Sequence, residues 1–398
     1  MVLKILAIGD VGNYIKTLSK FTKKSKIHII NYPKDGAGVF TYDENVELFD
    51  SYKVSEQVKK INSIKDQYDL CIIMGTERIA YLADLNYIAY YVGRDIDAPR
   101  FIKNSKEEWN DEPLHTLNFL ERFFYKLAFK NAIGHVASVW VFDHLKKYTD
   151  SGIRMDRKAV DPSIFEGEFK PLDKKKEKFT FFCPQRIERF KGTDILWKSL
   201  EYCKTDFEIH QVEWFGETNE EEKKFKRHML SNIPPQVKLI PMIKRKDMKK
   251  YYNFSDAVIG NMYLGFYEYV EMEAIFCGKP VLNYANPNEK IFIDDKVIDS
   301  PFLPKSNNPK EIAKIIDEIV SSEVFRNELF HNEQEIVKEI SDPIKSAEWW
   351  DELFMKKYNE CGGIRKESSL VTQKLRMALF LIGNRFYLKK IKNKLFNS

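Results

Sequence analysis

The chain predicts an α/β fold of two consecutive doubly wound domains facing a cleft. Three observations carry this. Short β-rich runs alternate with helical patterns over residues 1–165. The alternation resumes over 179–342 after a polar interruption. At 398 residues the chain is too long for one ordinary domain and about right for two.

The elements follow in order. In the first block, 2–8, 27–31, 70–74 and 88–92 are β-branched or aromatic runs and predict strands, while 13–21 and 118–131 predict helices. Residues 166–178, EGEFKPLDKKKEK, combine Pro171 with a run of charge and predict the linker. In the second block, 179–183, 208–215, 237–240, 257–259 and 280–284 predict strands. Residues 193–200, 220–230, 246–253 and 309–321 predict helices. Residues 343–360, with Trp349 and Trp350, and a tail, 361–398, complete the chain.

Composition narrows the function classes. The apolar and charged fractions, 43% and 31%, are those of a globular protein, and 29 Phe and 20 Tyr predict ring-filled cores. The five cysteines are scattered, with no CxxC pair, which predicts a reducing, cytoplasmic setting and neither a disulfide framework nor a zinc site. MVLKILAIGD reads as a first strand, not a signal peptide, and no apolar run approaches the ~20 residues that span a bilayer. Net charge is +5, but the chain after Glu367 holds seven basic residues and no acidic one, leaving 1–367 at −2. A body without a basic excess argues against nucleic acid as a partner.

Five segments are candidates for chemistry. Gly9-Asp10-Val11-Gly12-Asn13 is a turn after the first strand. Its glycines either let backbone N–H groups reach a ligand or serve the turn alone, and Gly12 and Asn13 are the candidates. Tyr91-Val92-Gly93-Arg94-Asp95 lies at the carboxyl end of a predicted strand, where open α/β sheets bind ligands; Asp95 is a candidate there, or else a helix cap. Ala159–Phe165 (AVDPSIF) is expected to be structural, with Phe165 packed at the hinge. Arg186-Ile187-Glu188-Arg189-Phe190-Lys191-Gly192 follows the first strand of the second block. Arg186 and Lys191 there can stabilise negative charge on a departing phosphate, the alternative being a solvated charge run. In 266–284, FYEYVEMEAIFCGKPVLNY, Glu273 opens a short apolar helix, Gly278 ends it, and Lys279-Pro280 lead into a buried strand. The Glu273 carboxylate can accept both hydrogen bonds of a ribose diol, or complement a helix dipole.

Glu273-Ala274 with Cys277-Gly278-Lys279-Pro280-Val281 resembles the E-A-M-x-x-G-x-P-V segment of retaining GT-B glycosyltransferases, in particular family 4. Arg186 through Gly192 resembles that family's G-R-x-x-x-x-K-G motif, with Gln185 at the usual glycine, and 159–165 resembles its G-V-D-x-x-x-F segment. The resemblance runs from about residue 2 to 358 and is most specific over 180–284.

It implies two Rossmann-like domains, the second binding a nucleotide-diphospho-sugar donor, and a helix over 341–358 crossing back to the first. It implies that Arg186 and Lys191 hold the diphosphate and Glu273 the ribose. The loop Gly265, Phe266, Tyr267 and Glu268 would face the donor sugar and phosphate. Gly12 and Asn13 would approach from the first domain, and Asp95 would stand beside the reacting sugar. The activity implied is metal-independent sugar transfer with retention, without a cofactor beyond a UDP- or GDP-linked sugar. The acceptor implied is a glycan, lipid-linked glycan or cell-envelope polysaccharide. Two departures stand out: Val92 where the family often has histidine, and Gly265 where the first glutamate of E-x7-E is usual. They leave a second reading, a non-catalytic nucleotide-sugar-binding or scaffold protein. A dinucleotide oxidoreductase fits poorly, because the first loop does not complete G-x-G-x-x-G.

In the tail, Leu375, Leu379, Ile382 and Phe386 share one helical face, with Arg376 and Lys390 off it. Such a basic amphipathic segment can lie on an anionic membrane, here its inner face, or can dock on the body or on another subunit.

Overall fold

The computed structural model describes residues 1–33, 46–107, 113–165, 172, 176–215, 220–294, 296–362, 368–369 and 371–383. By contacts the chain forms two compact units, Met1–Met155 with Ile344–Ser398, and Asp156–Pro343.

The first unit is built on a seven-stranded parallel sheet of order β3-β2-β1-β4-β5-β6-β7. Its strands are β1 (Leu3–Ile8), β2 (Ser25–Asn31), β3 (Glu47–Leu48), β4 (Leu70–Ile73), β5 (Tyr87–Tyr91), β6 (Gly134–Ala137) and β7 (Gly152–Arg154). The helices between them are α1 (Tyr14–Leu18), α2 (Val54–Ile64), α3 (Glu77–Leu82), α4 (Arg94–Asp97), α5 (Phe119–Asn131) and α6 (Trp140–Lys146). β1, β4 and β5 are buried almost end to end, as strands covered on both faces must be. Leu6, Ile8, Ile73, Tyr87 and Phe124 belong to the resulting core. The strand order reverses between β1 and β4, which makes the carboxyl ends there the expected ligand-facing edge.

The second unit holds a five-stranded parallel sheet, β10-β9-β8-β11-β12, of β8 (Phe179–Cys183), β9 (Phe207–Val212), β10 (Val237–Ile240), β11 (Ala257–Ile259) and β12 (Val281–Leu282). Helices α7 (Thr193–Ser199), α8 (Glu220–Leu230), α9 (Met248–Phe254) and α10 (Tyr269–Phe276) connect them. An antiparallel hairpin, β13 (Lys290–Ile293) and β14 (Lys296–Asp299), precedes α11 (Pro309–Ser321) and α12 (Glu323–Ile340). Phe181, Ile209, Ile259, Leu282 and Ile316 belong to its core.

The predicted strands and helices are present, most of them within a few residues of their expected ends. The sequence reading passed over β3, β6, β7, α2, α3, α6 and the hairpin. These are mostly short, so few side chains report a period. Residues 156–165, expected to close the first domain, pack with the second unit. Backbone bonds from Lys158 N to the Ile340 carbonyl (2.9 Å) and from Val160 N to the Ser341 carbonyl (3.2 Å) fix them there. Most of the predicted linker, 166–171 and 173–175, lies outside the described residues.

Helix α13 (Pro343–Glu360) belongs to the first unit. Its fully buried Trp350 donates from Nε1 to Tyr14 Oη at 2.7 Å. Asp351 accepts from Lys23 N and Lys24 N, both at 2.8 Å.

A helix over 371–383, α14, corrects the expected face of the tail. Arg376 does not point to solvent: it donates to Asp84 Oδ1 (2.6 Å) and to the Tyr81 carbonyl (3.0 Å), and its guanidinium lies 4.3 Å from the Tyr81 ring centroid. Met377, Leu379 and Phe380 pack on the core beside it, whereas Leu375 and Ile382 are exposed. The ion pair decides this orientation, because Asp84 is buried and needs a cation. Phe386 and Lys390 lie outside the described residues. Among the described residues no helix is long and apolar enough to cross a membrane.

Candidate functional site

The second unit gathers several predicted residues at the carboxyl ends of β8 and β11. After β8 the chain turns through Arg186 to Gly192, which adopts φ +67°. A Cβ at Gly192 would stand 2.7 Å from the Met262 carbonyl carbon and 2.8 Å from Tyr263 N, so only glycine lets the two loops touch. The contact is sealed by Met262 N donating to the Lys191 carbonyl at 3.0 Å. Lys191 is thereby placed over the start of α10, where its ammonium pairs with the Glu268 carboxylate. Asn261 Nδ2 also donates to Glu268, at 3.4 Å. Burial alone would raise the Glu268 carboxyl, but Lys191 outweighs it and holds the group below its ordinary range. Arg186 sits 3.1 Å from Glu188 Oε1, with its guanidinium 5.2 Å from the Trp214 ring centroid, and its side chain stays 31% exposed. A half-open guanidinium of this kind can still meet a phosphate.

Glu273 does not open its helix. α10 begins four residues earlier, because Glu268 and Glu271 form a reciprocal capping box. The dipole role suggested for Glu273 therefore falls to Glu271 in the first turn. The expected end is as read: the helix stops at Phe276 and Gly278 takes φ +71°. Glu273 is buried in mid-helix, where Arg245 grips both carboxylate oxygens and Tyr252 Oη donates at 2.9 Å. Burial pushes Glu271, two residues before it, up to about 7, reinforced by the charge of Glu268.

The 265–268 loop is shaped from beneath. Gly265 has φ +79°, and a Cβ there would lie 2.5 Å from Asn286 Cβ and 2.8 Å from Asn286 N. The position has no room for the glutamate of E-x7-E. Phe266 and Tyr267 are buried, the latter donating to the Asp156 carbonyl at 2.9 Å, so the loop offers a ligand its backbone more than its rings. Lys158, which the sequence reading did not single out, donates to the Tyr267 carbonyl at 2.9 Å. Its ammonium lies within 6 Å of the Phe266, Tyr267 and Tyr269 ring centroids. Burial lowers the Lys158 pKa, against the pull of Glu268 and Glu271. Arg245 and Lys158 carried no signal in spacing; each meets its partner only through the fold.

The remaining candidates are in the first unit. Gly12 and Asn13 form the turn into α1 with φ +73° and +64°. The helix N-terminus they lead to is already occupied by the chain's own Asp10 carboxyl, which accepts from Ile15 N (3.0 Å) and Lys16 N (2.9 Å). Burial pushes the Asp10 carboxyl up to about 7. Asp95 lies in the first turn of α4 and accepts from Gly93 N at 3.0 Å, a turn-capping bond. It also lines a cavity with Glu77, Tyr91, Arg100 and His115.

Residues 165–336 match the family model described as glycosyl transferases group 1. Among solved structures, Anabaena Alr3699/HepE in complex with UDP and glucose is similar over 89% of this chain and 100% of its own, at 16% identity and a TM-score of 0.61. Sucrose-phosphate synthase from Thermosynechococcus elongatus is similar over 90% of this chain and 100% of its own, at 14% identity and a TM-score of 0.64. A glycosyltransferase from Rickettsia africae ESF-5 is similar over 90% and 98%, at 15% identity and a TM-score of 0.57. No curated protein matches the chain in sequence. The fold is thus the GT-B fold, and the stretch that matches the group 1 model spans most of the second unit.

Proposed function

From a GT-B chain whose residues 165–336 match the glycosyl transferases group 1 model, we propose a retaining glycosyltransferase that uses a nucleotide-diphospho-sugar. The observation that carries the reading is the pairing of Lys191 with Glu268 across two glycine-shaped loops, with Arg186 half open beside the same strand end. In the reaction the bond from the anomeric carbon to the diphosphate oxygen breaks with its electron pair on the leaving phosphate. A new glycosidic bond forms to an acceptor hydroxyl, whose proton is taken up by the departing diphosphate. Arg186 and Lys191 supply the positive charge that the leaving group needs, with Lys191 exchanging Glu268 for phosphate. Glu273, oriented by Arg245 and Tyr252, is assigned to the ribose, and the backbone of 265–268 to the sugar and phosphate. The first unit, with Asp95, is assigned to the acceptor, a glycan or lipid-linked glycan. The exposed side of α14, with Leu375 and Ile382, is proposed to contact an anionic membrane surface, placing the enzyme at the membrane's inner face.

A thermal-shift screen against UDP-, GDP-, ADP- and dTDP-sugars tests the donor. The complex of Alr3699/HepE with UDP and glucose makes UDP-glucose the first probe. Binding to the folded state alone raises the midpoint, and Arg186→Ala and Lys191→Ala are expected to reduce the shift. Release of free UDP or GDP in the presence of a glycan acceptor then separates an enzyme from a binding protein. No shift with any of the four donors would sink the reading.

A further inference from the structure

The first unit contains a cavity of about 280 Å³ to which the group 1 motifs contribute nothing. It lies beside the carboxyl ends of β4 and β5, one strand from the point where the sheet order reverses. Its volume is at the lower edge of ordinary small-molecule sites, roughly 300–1,000 Å³. That suits one ring, not an oligomer or a lipid chain.

The lining decides what kind of ring. Tyr91, Phe101, Tyr125 and Phe129 give it flat apolar surfaces. Phe101 and Phe129 touch each other at 4.9 Å between centroids, and Tyr91 and Phe129 at 6.2 Å, so these walls support one another. Set among them are two carboxylates, Glu77 and Asp95, and the side chains of Arg100 and His115. Arg100 is held in place, donating from Nη1 to Tyr125 Oη at 3.0 Å with its guanidinium 5.3 Å from that ring centroid. Asp95 is oriented by Gly93 N.

Carboxylates accept hydrogen bonds and guanidinium donates them, so the ligand must both donate and accept along its edge. With two acidic side chains set against Arg100, the lining offers a phosphate or a nucleotide no surplus of positive charge. Four aromatic walls favour a ligand with apolar faces. A neutral polyhydroxylated ring meets all three conditions.

We propose that this cavity binds a single pyranose ring, with its faces against Tyr91, Tyr125 and Phe129 and its hydroxyls on Glu77, Asp95 and Arg100. That the ring belongs to the sugar acceptor rests on the glycosyltransferase reading above; the binding of a ring does not. Burial, together with the charge of Glu77, pushes Asp95 up to about 7, and burial raises Glu77 as well. A protonated carboxyl in the pair also donates, which widens the set of hydroxyl arrangements it can satisfy.

The test is saturation-transfer difference NMR on the full chain. The probes are methyl α-D-glucopyranoside, methyl β-D-galactopyranoside, methyl α-D-mannopyranoside and methyl N-acetyl-β-D-glucosaminide. At least one is expected to give ring-proton signals. Leu114→Trp, which fills the cavity, should abolish them, and Glu77→Gln should weaken binding about fivefold or more. Thermal midpoints establish that each variant is folded, and Glu77→Gln, which keeps the shape, serves if Leu114→Trp does not fold. No signal from any glycoside, or signals unchanged in the folded variants, overturns the proposal. The UDP-sugar thermal shift is measured on the same samples. A donor shift that survives while glycoside signals are absent sinks only the cavity. Glycoside signals lost in the variants, with no donor shift in the native chain, sink only the donor assignment.

Discussion

Arg245→Met isolates the grip on Glu273. In the native chain the carboxylate is 1% exposed and has Arg245 across both oxygens, with Tyr252 as a third partner. Removing the guanidinium leaves a buried charge with one neutral donor. Breaking a fully buried pair costs about 3–5 kcal/mol. Arg245 is 34% exposed, so water can enter part of the space it leaves, and the expected cost falls to about 2–4 kcal/mol. For a unit of this size each kcal/mol moves the melting midpoint by roughly 2–4 °C, which gives a drop of about 4–16 °C. The assay is a thermal melt of the native chain, Arg245→Met, and Arg245→Met combined with Glu273→Gln. Because the cost arises from the stranded charge, the double variant should recover most of the loss. A single variant within 2 °C of native would refute the reasoning, as would a double variant no better than the single.

Two further outcomes follow from the structure. Burial holds Asp10 up to about 7, so between roughly pH 4 and 7 the folded chain keeps a proton that the unfolded chain has lost. Its contribution to stability is therefore complete below pH 4 and is lost as pH rises through 7, about 1.4 kcal/mol per unit, or about 2–3 kcal/mol between pH 5 and 8. Asp10→Asn should flatten the stability profile of the first unit by that amount; parallel profiles for the two proteins would contradict the assignment. For the tail, co-flotation with vesicles containing anionic phosphatidylglycerol is expected for the native chain and should fall several-fold in Leu375→Ser/Ile382→Ser, whose changes lie on the exposed side of α14. Equal recovery of both forms would exclude membrane contact through this face.

The alternation of strands and helices was readable because period and punctuation are local properties. β8 through Lys191 and the Gly278 stop could be placed from a handful of neighbouring residues. The same locality explains what was missed. Nothing near Glu273 announces Arg245, 28 residues upstream, and nothing near Asp84 announces Arg376, 292 residues downstream. Helical position put Arg376 off the tail's apolar face, and a distant buried carboxylate nevertheless ties it to the body. Asp10 looked like part of a ligand-binding turn, yet it closes the N-terminus of its own helix.

By itself the sequence determined a two-block α/β chain, the cations beside a strand end and the glycines that its turns require. Only the tertiary structure decided where the charges find their partners. It set Lys191 on Glu268, closed Arg245 over Glu273 and gave Gly265 no room for a carboxylate. It also brought Glu77, Asp95 and Arg100 to one cavity. The physical reason is that backbone propensity acts over a few residues. Desolvation of a charge, by contrast, is settled by whatever the sheet order brings within a few ångströms, however far away in the chain.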